Sequence, residues 1–348
     1  MPSSKGYAAL DAQSLLAPYN FVRREPLASE IAVEILYCGV CHSDLHMARN
    51  EWGNSIYPMV PGHEIVGRVT AAGNAVTKFK VGDIAAIGVI VDSCGKCAPC
   101  TRGEEHFCDE GATLTYAAPD RVDGSITMGG YSNNYVVDER FAHTVPANLD
   151  LAAVAPLLCA GITTYSPLRH WKVGPGKKVG IVGLGGLGHM GLKFAHSFGA
   201  HVVQFTTSLK KKEDALKLGA DEVVLSTDPD AMKAHAKSFD FILDTVSAKH
   251  AIDDYLTLLK QDATMTLVGL PEVPPSFSVF NLIGKRASIA GSMIGGMPET
   301  QEMLDYCGEH NIVSEVEVIR IDQVNLAFER LLKQDVKYRF VIDMSSLA

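Results

Sequence analysis

The stretch Lys178-Val179-Gly180-Ile181-Val182-Gly183-Leu184-Gly185-Gly186-Leu187-Gly188 decides how this chain folds. Its first five residues read as a buried strand, and the glycines follow without a break. G-x-G-x-x-G alone is weak evidence in a glycine-rich chain. A strand leading in and a helix leading out supply the context the motif requires. Gly183 would permit the tight turn, Gly185 the approach of a pyrophosphate to the backbone, and Gly188 close packing of helix on strand. Gly186 and Leu187 complete the turn, and the free N–H groups at the helix start would face the phosphates.

Working outward, strands are expected at 201–205, 222–225, 239–244 and 263–269, with helices at 188–198, 210–218 and 250–259. Alternation at these lengths predicts a parallel, doubly wound sheet. Upstream, short strands at 31–37, 64–71, 83–91, 131–137 and 143–145 are separated by glycine turns, which predicts a β-rich, barrel-like lobe. A helix is expected over 152–165, with Pro156 early in it. The alternation fades after about residue 290, and the tail ends in a strand at 338–342. The 348 residues suggest roughly two domains. Their order fits a doubly wound domain inserted between two parts of another.

The strand after the fingerprint discriminates the cofactor. NAD binders carry an acid about 20 residues on, which bonds the ribose 2′-hydroxyl. Here the zone reads Thr206-Thr207-Ser208-Leu209-Lys210-Lys211-Lys212, with no acid between the fingerprint and Glu213. Hydroxyls can donate to a 2′-phosphate and ammonium groups can neutralise it. NADP(H) is therefore predicted, although any one of these lysines would also suit the solvated start of a helix.

The chain has eight cysteines. Cys94-x2-Cys97-x2-Cys100-x7-Cys108 places four thiolates on one loop, the donor set of a closed tetrahedral zinc. An iron–sulfur cluster is the rival, but the ferredoxin run brings its fourth cysteine after three residues, followed by proline. A second set is dispersed: Cys41-His42-Ser43-Asp44, Gly62-His63-Glu64, and Cys159 in an apolar segment. Two thiolates and an imidazole suit a catalytic zinc with a fourth position open, and Glu64 adjoins the histidine. Spacing alone leaves other readings standing, since a lone helical cysteine is commonly a small buried hydrophobe.

Composition narrows the function classes. A net charge of −9 argues against a nucleic-acid partner. No segment approaches the ~20 apolar residues of a membrane span, and no secretory leader is expected at the N-terminus. A cytoplasmic setting follows, in which clustered cysteines bind metal more readily than they pair.

Taken in order, Cys-His-Ser-Asp-Leu-His at 41–46, Met-Val-Pro-Gly-His-Glu at 59–64, the four-cysteine loop, Cys159, Gly-Leu-Gly-Gly-Leu-Gly-His-Met at 183–190 and Gly-Ser-Met-Ile-Gly-Gly at 291–296 resemble the zinc-dependent medium-chain alcohol dehydrogenases. The resemblance runs over nearly the whole chain. It is nearest to the cinnamyl alcohol dehydrogenase-like branch, which includes bacterial NADP-dependent aldehyde reductases.

That resemblance implies an α/β architecture: a GroES-like catalytic domain from 1–153 and 296–348, around an inserted Rossmann domain at 154–295. It implies two zinc ions per subunit, one catalytic on Cys41, His63 and Cys159 with Glu64 able to join, one structural on Cys94, Cys97, Cys100 and Cys108. Ser43 stands where the family has the hydroxyl that bonds the substrate oxygen, and His46 where this branch has a relay histidine. Asp44 would orient a ligand. Thr163, Val268, Gly269, Ser292 and Met293 would join the fingerprint, Thr206, Thr207, Ser208, Lys211 and Lys212 in holding NADP(H). The implied reaction is reversible hydride transfer between NADP(H) and primary alcohols or aldehydes, aromatic ones included. The small-molecule substrate is then the partner, beside a second copy of the chain paired along 287–294. Trp52 and Tyr57 either wall the substrate pocket or are core. A polyol dehydrogenase, or a zinc- and nucleotide-binding protein without catalysis, are the competing readings. Cys38 and Cys307 have no role beyond the packed interior.

Overall fold

Strand Lys178–Val182 lies in the middle of a six-stranded sheet whose paired neighbours all run parallel. The spatial order is Glu222–Leu225, His201–Thr206, Lys178–Val182, Phe239–Asp244, Leu259–Leu267, Ser288–Gly291. Numbered along the chain this is 3-2-1-4-5-6, the doubly wound order. Strands covered on both faces read as continuous apolar runs, as 179–182 and 241–243 do. Val182 pairs with Phe205 on one side and Asp244 on the other, so the chain leaves the first and fourth strands at the same end of the sheet. That is where the strand order reverses and where ligands settle in such folds.

The computed structural model describes residues 3–271 and 273–347, which form two units. One holds the parallel sheet and spans Ala160–Ile294; the other comprises the chain up to Cys159 and from Gly295 onward. Residues 154–159, expected with the Rossmann domain, therefore pack in the other unit.

The first unit is built on the eleven-residue strand Glu30–Val40. Ile65–Ala72 pairs antiparallel along one edge. Asn134–Asp138 and Arg339–Asp343 share the other edge, the first opposite Glu30–Glu34 and the second opposite Tyr37–Val40. Val316–Arg320 extends the sheet beyond Arg339–Asp343. The end of the chain thus returns to the strand that leads into Cys41.

Two expectations about elements change. The strand expected over 83–91 splits into Ile84–Ile87 and Ile90–Asp92 on either side of Gly88, where a Cβ would lie 3.2 Å from the Leu158 carbonyl. The helix expected over 152–165 is broken at Cys159. Leu151–Val154 gives way to a 3-10 turn, Ala155–Leu158, and the helix Ala160–His170 begins only after it. Pro156, which has no N–H, is suited to the start of such a turn and not to the middle of a helix. Among the described residues no single helix is long and apolar enough to cross a membrane.

Candidate active site

Cys41 follows the strand Glu30–Val40 in extended conformation and forms the N-cap of the helix His42–Ala48. Asp44, three residues on, folds its carboxylate back onto the Cys41 N–H at 2.9 Å. The same carboxylate accepts from Gly62 N–H at 3.0 Å, His63 Nδ1 at 3.1 Å and the Tyr131 hydroxyl at 3.1 Å. Asp44 has no exposed surface. A buried carboxylate is tolerable only with this degree of satisfaction. Its effect on His63 is specific: with Nδ1–H donated to Asp44, Nε2 is the nitrogen left for a metal. Burial acts to lower the His63 pKa, but the Asp44 carboxylate overrides it and raises it well above the usual value.

The ligand atoms of Cys41, His63, Glu64 and Cys159 all lie within 4.8 Å of one another. The two sulfurs are 4.0 Å apart, close to the roughly 3.8 Å edge of a tetrahedron with Zn–S bonds of about 2.3 Å. Between them, a hydrogen bond from the Cys159 thiol holds Cys41 well below the usual thiol range against burial, and Cys159 rises well above it. A bound divalent cation would deprotonate both. Glu64 is buried; one carboxylate oxygen pairs with the buried Arg339 guanidinium, while Oε2 has no hydrogen-bond partner. Burial pushes Glu64 up to about 7, with Arg339 opposing. Two thiolates and Glu64 would bring three negative charges, which one zinc and Arg339 balance. Donor types, spacing, the unpartnered acceptor and the charge all fit zinc.

Ser43 Oγ lies 3.6 Å from the Cys41 sulfur. His46, one turn along the helix, pairs through Nδ1 with Glu51, and its ring lies 5.3 Å from that of Trp52. Trp52 is 39% exposed. Tyr57 instead packs with Met47, Met59, Tyr116 and Ala117 and donates its hydroxyl to the Ala48 carbonyl at 2.8 Å. Tyr116 from that cluster places its ring 5.8 Å from His63.

The four-cysteine loop is a second, self-contained set, its sulfurs also within 4.8 Å of one another. Backbone N–H groups point at them: Cys97 N to Cys94 Sγ at 3.3 Å, Cys94 N to Cys108 Sγ at 3.4 Å, and Asp109 N to Cys97 Sγ at 3.4 Å. Such donors favour the thiolate. The amides of Lys96 and Cys97 pull the Cys94 thiol down to about 7. Four convergent sulfurs leave no coordination position open, which is the structural type of zinc site.

In the other unit, Gly183 adopts φ +88°, and a Cβ on Gly188 would lie 2.0 Å from the Gly183 carbonyl. A Cβ on Gly185 would meet nothing within 4 Å. The turn is thus closed by two glycines and open at the third, as a phosphate approaching the backbone requires. Thr206 ends its strand and exchanges hydrogen bonds with Ser208, and Ser208 caps the 3-10 turn Leu209–Lys211. Lys211 Nζ donates to the Leu184 carbonyl at 3.1 Å, so its charge is held over the glycine turn. Lys212 begins the helix Lys212–Lys217. Val268 and Gly269 follow the fifth strand, with both amides donating to the Asp244 carbonyl. Ser292 and the half-exposed Met293 follow the sixth, and Thr163 is buried in the helix Ala160–His170.

Sequence reasoning did not find Arg339 or Tyr131. The one available signal was an arginine opening the otherwise apolar strand Arg339–Asp343. Cys38 and Cys307 are both buried.

The Alcohol dehydrogenase GroES-like domain model matches residues 28–147, and the Zinc-binding dehydrogenase model matches residues 186–309. The chain is 60% identical over 345 residues to the aldehyde reductase YahK of Escherichia coli, covering 99% of each. Among solved structures, a cinnamyl alcohol dehydrogenase of Sorghum bicolor (SbCAD4) superposes with a TM-score of 0.97 at 45% identity, covering 100% of this chain and 99% of that one. The cinnamyl alcohol dehydrogenase of Helicobacter pylori, solved in complex with NADP(H), gives 0.93 at 43% identity, covering 99% of both.

Proposed function

Because the chain belongs to the zinc-dependent medium-chain alcohol dehydrogenases, we propose that it interconverts primary alcohols and aldehydes with NADP(H), aromatic aldehydes among its substrates. The observation that carries this reading is the convergence of Cys41, His63, Cys159 and Glu64 in one buried cluster, with His63 held in its metal-binding tautomer by Asp44.

Cys41, His63 and Cys159 hold the catalytic zinc, and Glu64 is the ligand able to enter or leave. When bound, zinc supplies Lewis acidity and NADPH supplies the hydride. Arg339 pairs with one oxygen of Glu64 and opposes the rise that burial imposes on its pKa, and Oε2 is left to face a metal. Ser43, beside the Cys41 sulfur, exchanges a proton with the substrate oxygen at Oγ. His46 is the outer member of that proton route: Glu51 engages Nδ1, which leaves Nε2 for proton exchange. Tyr116 supplies an apolar wall beside His63, and Trp52 does so beside His46.

NADP(H) is favoured over NAD(H) by the absence of an acid after the second strand, by Lys211 on the Leu184 carbonyl, and by the NADP(H) complex of the Helicobacter relative. Thr206, Thr207, Ser208 and Lys212 lie with Lys211 on the turn where a 2′-phosphate would sit. Cys94, Cys97, Cys100 and Cys108 hold the structural zinc. Both metal sets need free thiols, which suits a reducing, cytoplasmic setting.

The assembly is a homodimer. Strand Ser288–Gly291 ends its sheet with one edge unpaired among the described residues, and Phe280 and Ile283, shortly before it, are 81% and 66% exposed. An open apolar edge favours pairing with a second copy. Light scattering at the monomer mass would contradict this.

The enzymatic reading is tested by the loss of absorbance at 340 nm when zinc-loaded protein meets NADPH and benzaldehyde or cinnamaldehyde. Turnover with both is expected. No oxidation of NADPH by any of several aldehydes would favour the binding-only reading, and turnover confined to polyols would move the chain to that branch.

A further inference from the structure

His250 lies in the turn after strand Phe239–Asp244 and plays no part in the zinc chemistry. Its Nε2 is 2.9 Å from Asp244 Oδ2, and its Nδ1 is 2.9 Å from the Ala248 carbonyl oxygen. Both partners accept. A neutral imidazole has one N–H and one lone pair, so it can satisfy only one of them. Only the doubly protonated ring satisfies both. Asp244 is buried and also accepts from the Val246 N–H at 3.1 Å. The imidazolium therefore supplies the counter-charge of a buried carboxylate that shapes the turn.

The turn it shapes is in direct contact with the dinucleotide fingerprint. The Thr245 hydroxyl donates to the Val182 carbonyl at 2.7 Å. A Cβ on Gly183 would lie 2.8 Å from Val246 Cγ2, and one on Gly188 would lie 3.2 Å from Thr245 Oγ1. A Cβ on Gly269 would lie 2.3 Å from the Val246 carbonyl oxygen. Asp244, Val246, His250, Leu267 and Gly269 also line one small cavity. The glycines at 183, 188 and 269 are thus packed against the segment that the His250–Asp244 pair holds.

We infer that His250 is kept as an imidazolium and acts as a positioning residue for NADP(H), latching the Thr245–Val246 turn against the phosphate-binding turn. This rests on the reading of the Rossmann unit as an NADP(H) site. The groups around the ring are consistent with a stable cation. Asp244 faces it from the strand end. Tyr255, on the helix Ile252–Leu258, has its ring 5.9 Å away, and burial pushes its phenol up to about 12, so it stays neutral. Lys249, its neighbour in the turn, lines the same cavity and brings a like charge that the Asp244 carboxylate has to outweigh. The hydrogen bond to Asp244 raises the His250 pKa above its ordinary value, with partial burial opposing.

The test uses the zinc-loaded full chain and two readouts. Binary NADPH affinity is measured by fluorescence titration, without aldehyde, for wild type, His250→Gln and His250→Lys. Hydrogen bonds to charged groups are worth about ten- to a hundredfold. With part of that transmitted through the turn, His250→Gln should weaken NADPH about tenfold while two zinc ions per chain stay bound, with some loss of thermal stability from the unpaired Asp244 carboxylate. His250→Lys, which restores the charge, should recover most of the loss. In ¹⁵N-histidine NMR at pH 7, the resonance absent from His250→Gln should show both ring nitrogens protonated. A neutral ring at pH 7, an unchanged affinity in His250→Gln, or a lysine variant as weak as glutamine would each overturn the latch. Failure of the wild-type protein to bind NADPH would instead overturn the cofactor reading, and the latch with it.

Discussion

The two candidate metal sets both use cysteine sulfur and are built in opposite ways. Cys94, Cys97, Cys100 and Cys108 come from one loop, and their sulfurs receive hydrogen bonds from that loop's own backbone. Cys41, His63 and Cys159 come from a strand-to-helix junction, a loop before another strand and a break between helices, and a salt bridge from the far end of the chain completes their surroundings. The loop set is closed by four sulfurs and can only hold its metal. The dispersed set carries a buried Glu64 oxygen without a partner and a histidine fixed by Asp44. On the proposed reading, the local set serves stability and the dispersed set serves chemistry.

That contrast is open to attack by substitution. Cys159→Ser should cut aldehyde reduction by at least about a thousandfold, since a metal's charge stabilisation amounts to several kcal/mol. Zinc should fall to one per chain by mass spectrometry, with the melting temperature near wild type. Cys97→Ser should also leave one zinc per chain but act on stability, lowering Tm by about 10 °C in calorimetry. If either variant behaved like the other, the division of labour would fail.

Asp44→Asn should have a smaller effect. It keeps the shape but offers an amide where four donors converge, and such outer partners typically alter metal affinity or activity by about ten- to a hundredfold. A competitive zinc titration should show this loss at one of the two sites only. The smallest effect touches neither metal set. Burial lowers His143 to about 3, and neither ring nitrogen has a hydrogen-bond partner. Below about pH 6.5 the unfolded chain takes up a proton there that the folded chain refuses until about pH 3, so stability rises with pH across that window. Relative to His143→Leu, wild type should lose about 1.4 kcal/mol per pH unit on acidification from pH 6. Parallel urea-denaturation curves for the two proteins at pH 6 and 5 would refute it.

The same contrast explains what could be read from the sequence. The glycine fingerprint and the four-cysteine loop are contiguous, so residue type and spacing carry both. His63 and Cys159, which the structure brings together with Cys41 and Glu64, were put forward as ligands through a family resemblance, because nothing in their neighbours distinguishes them from core residues. The break at Cys159 was foreshadowed by Pro156, yet the apolar run around it reads as one helix. Arg339 was illegible: its role depends on the pairing of Phe340 with Val40, which brings residues some 300 positions apart side by side. Tyr131 was hidden in the same way, since its hydroxyl matters only through a carboxylate 87 residues earlier.

The most direct test of the division between the sites is aldehyde reduction followed as zinc is withdrawn by a chelator, with activity plotted against zinc per chain and the fold monitored by circular dichroism. The account predicts that activity disappears as the content falls from two to one while the fold persists, and that unfolding begins only as the second ion leaves. Full activity at one zinc per chain, or loss of both ions together with the fold, would contradict it.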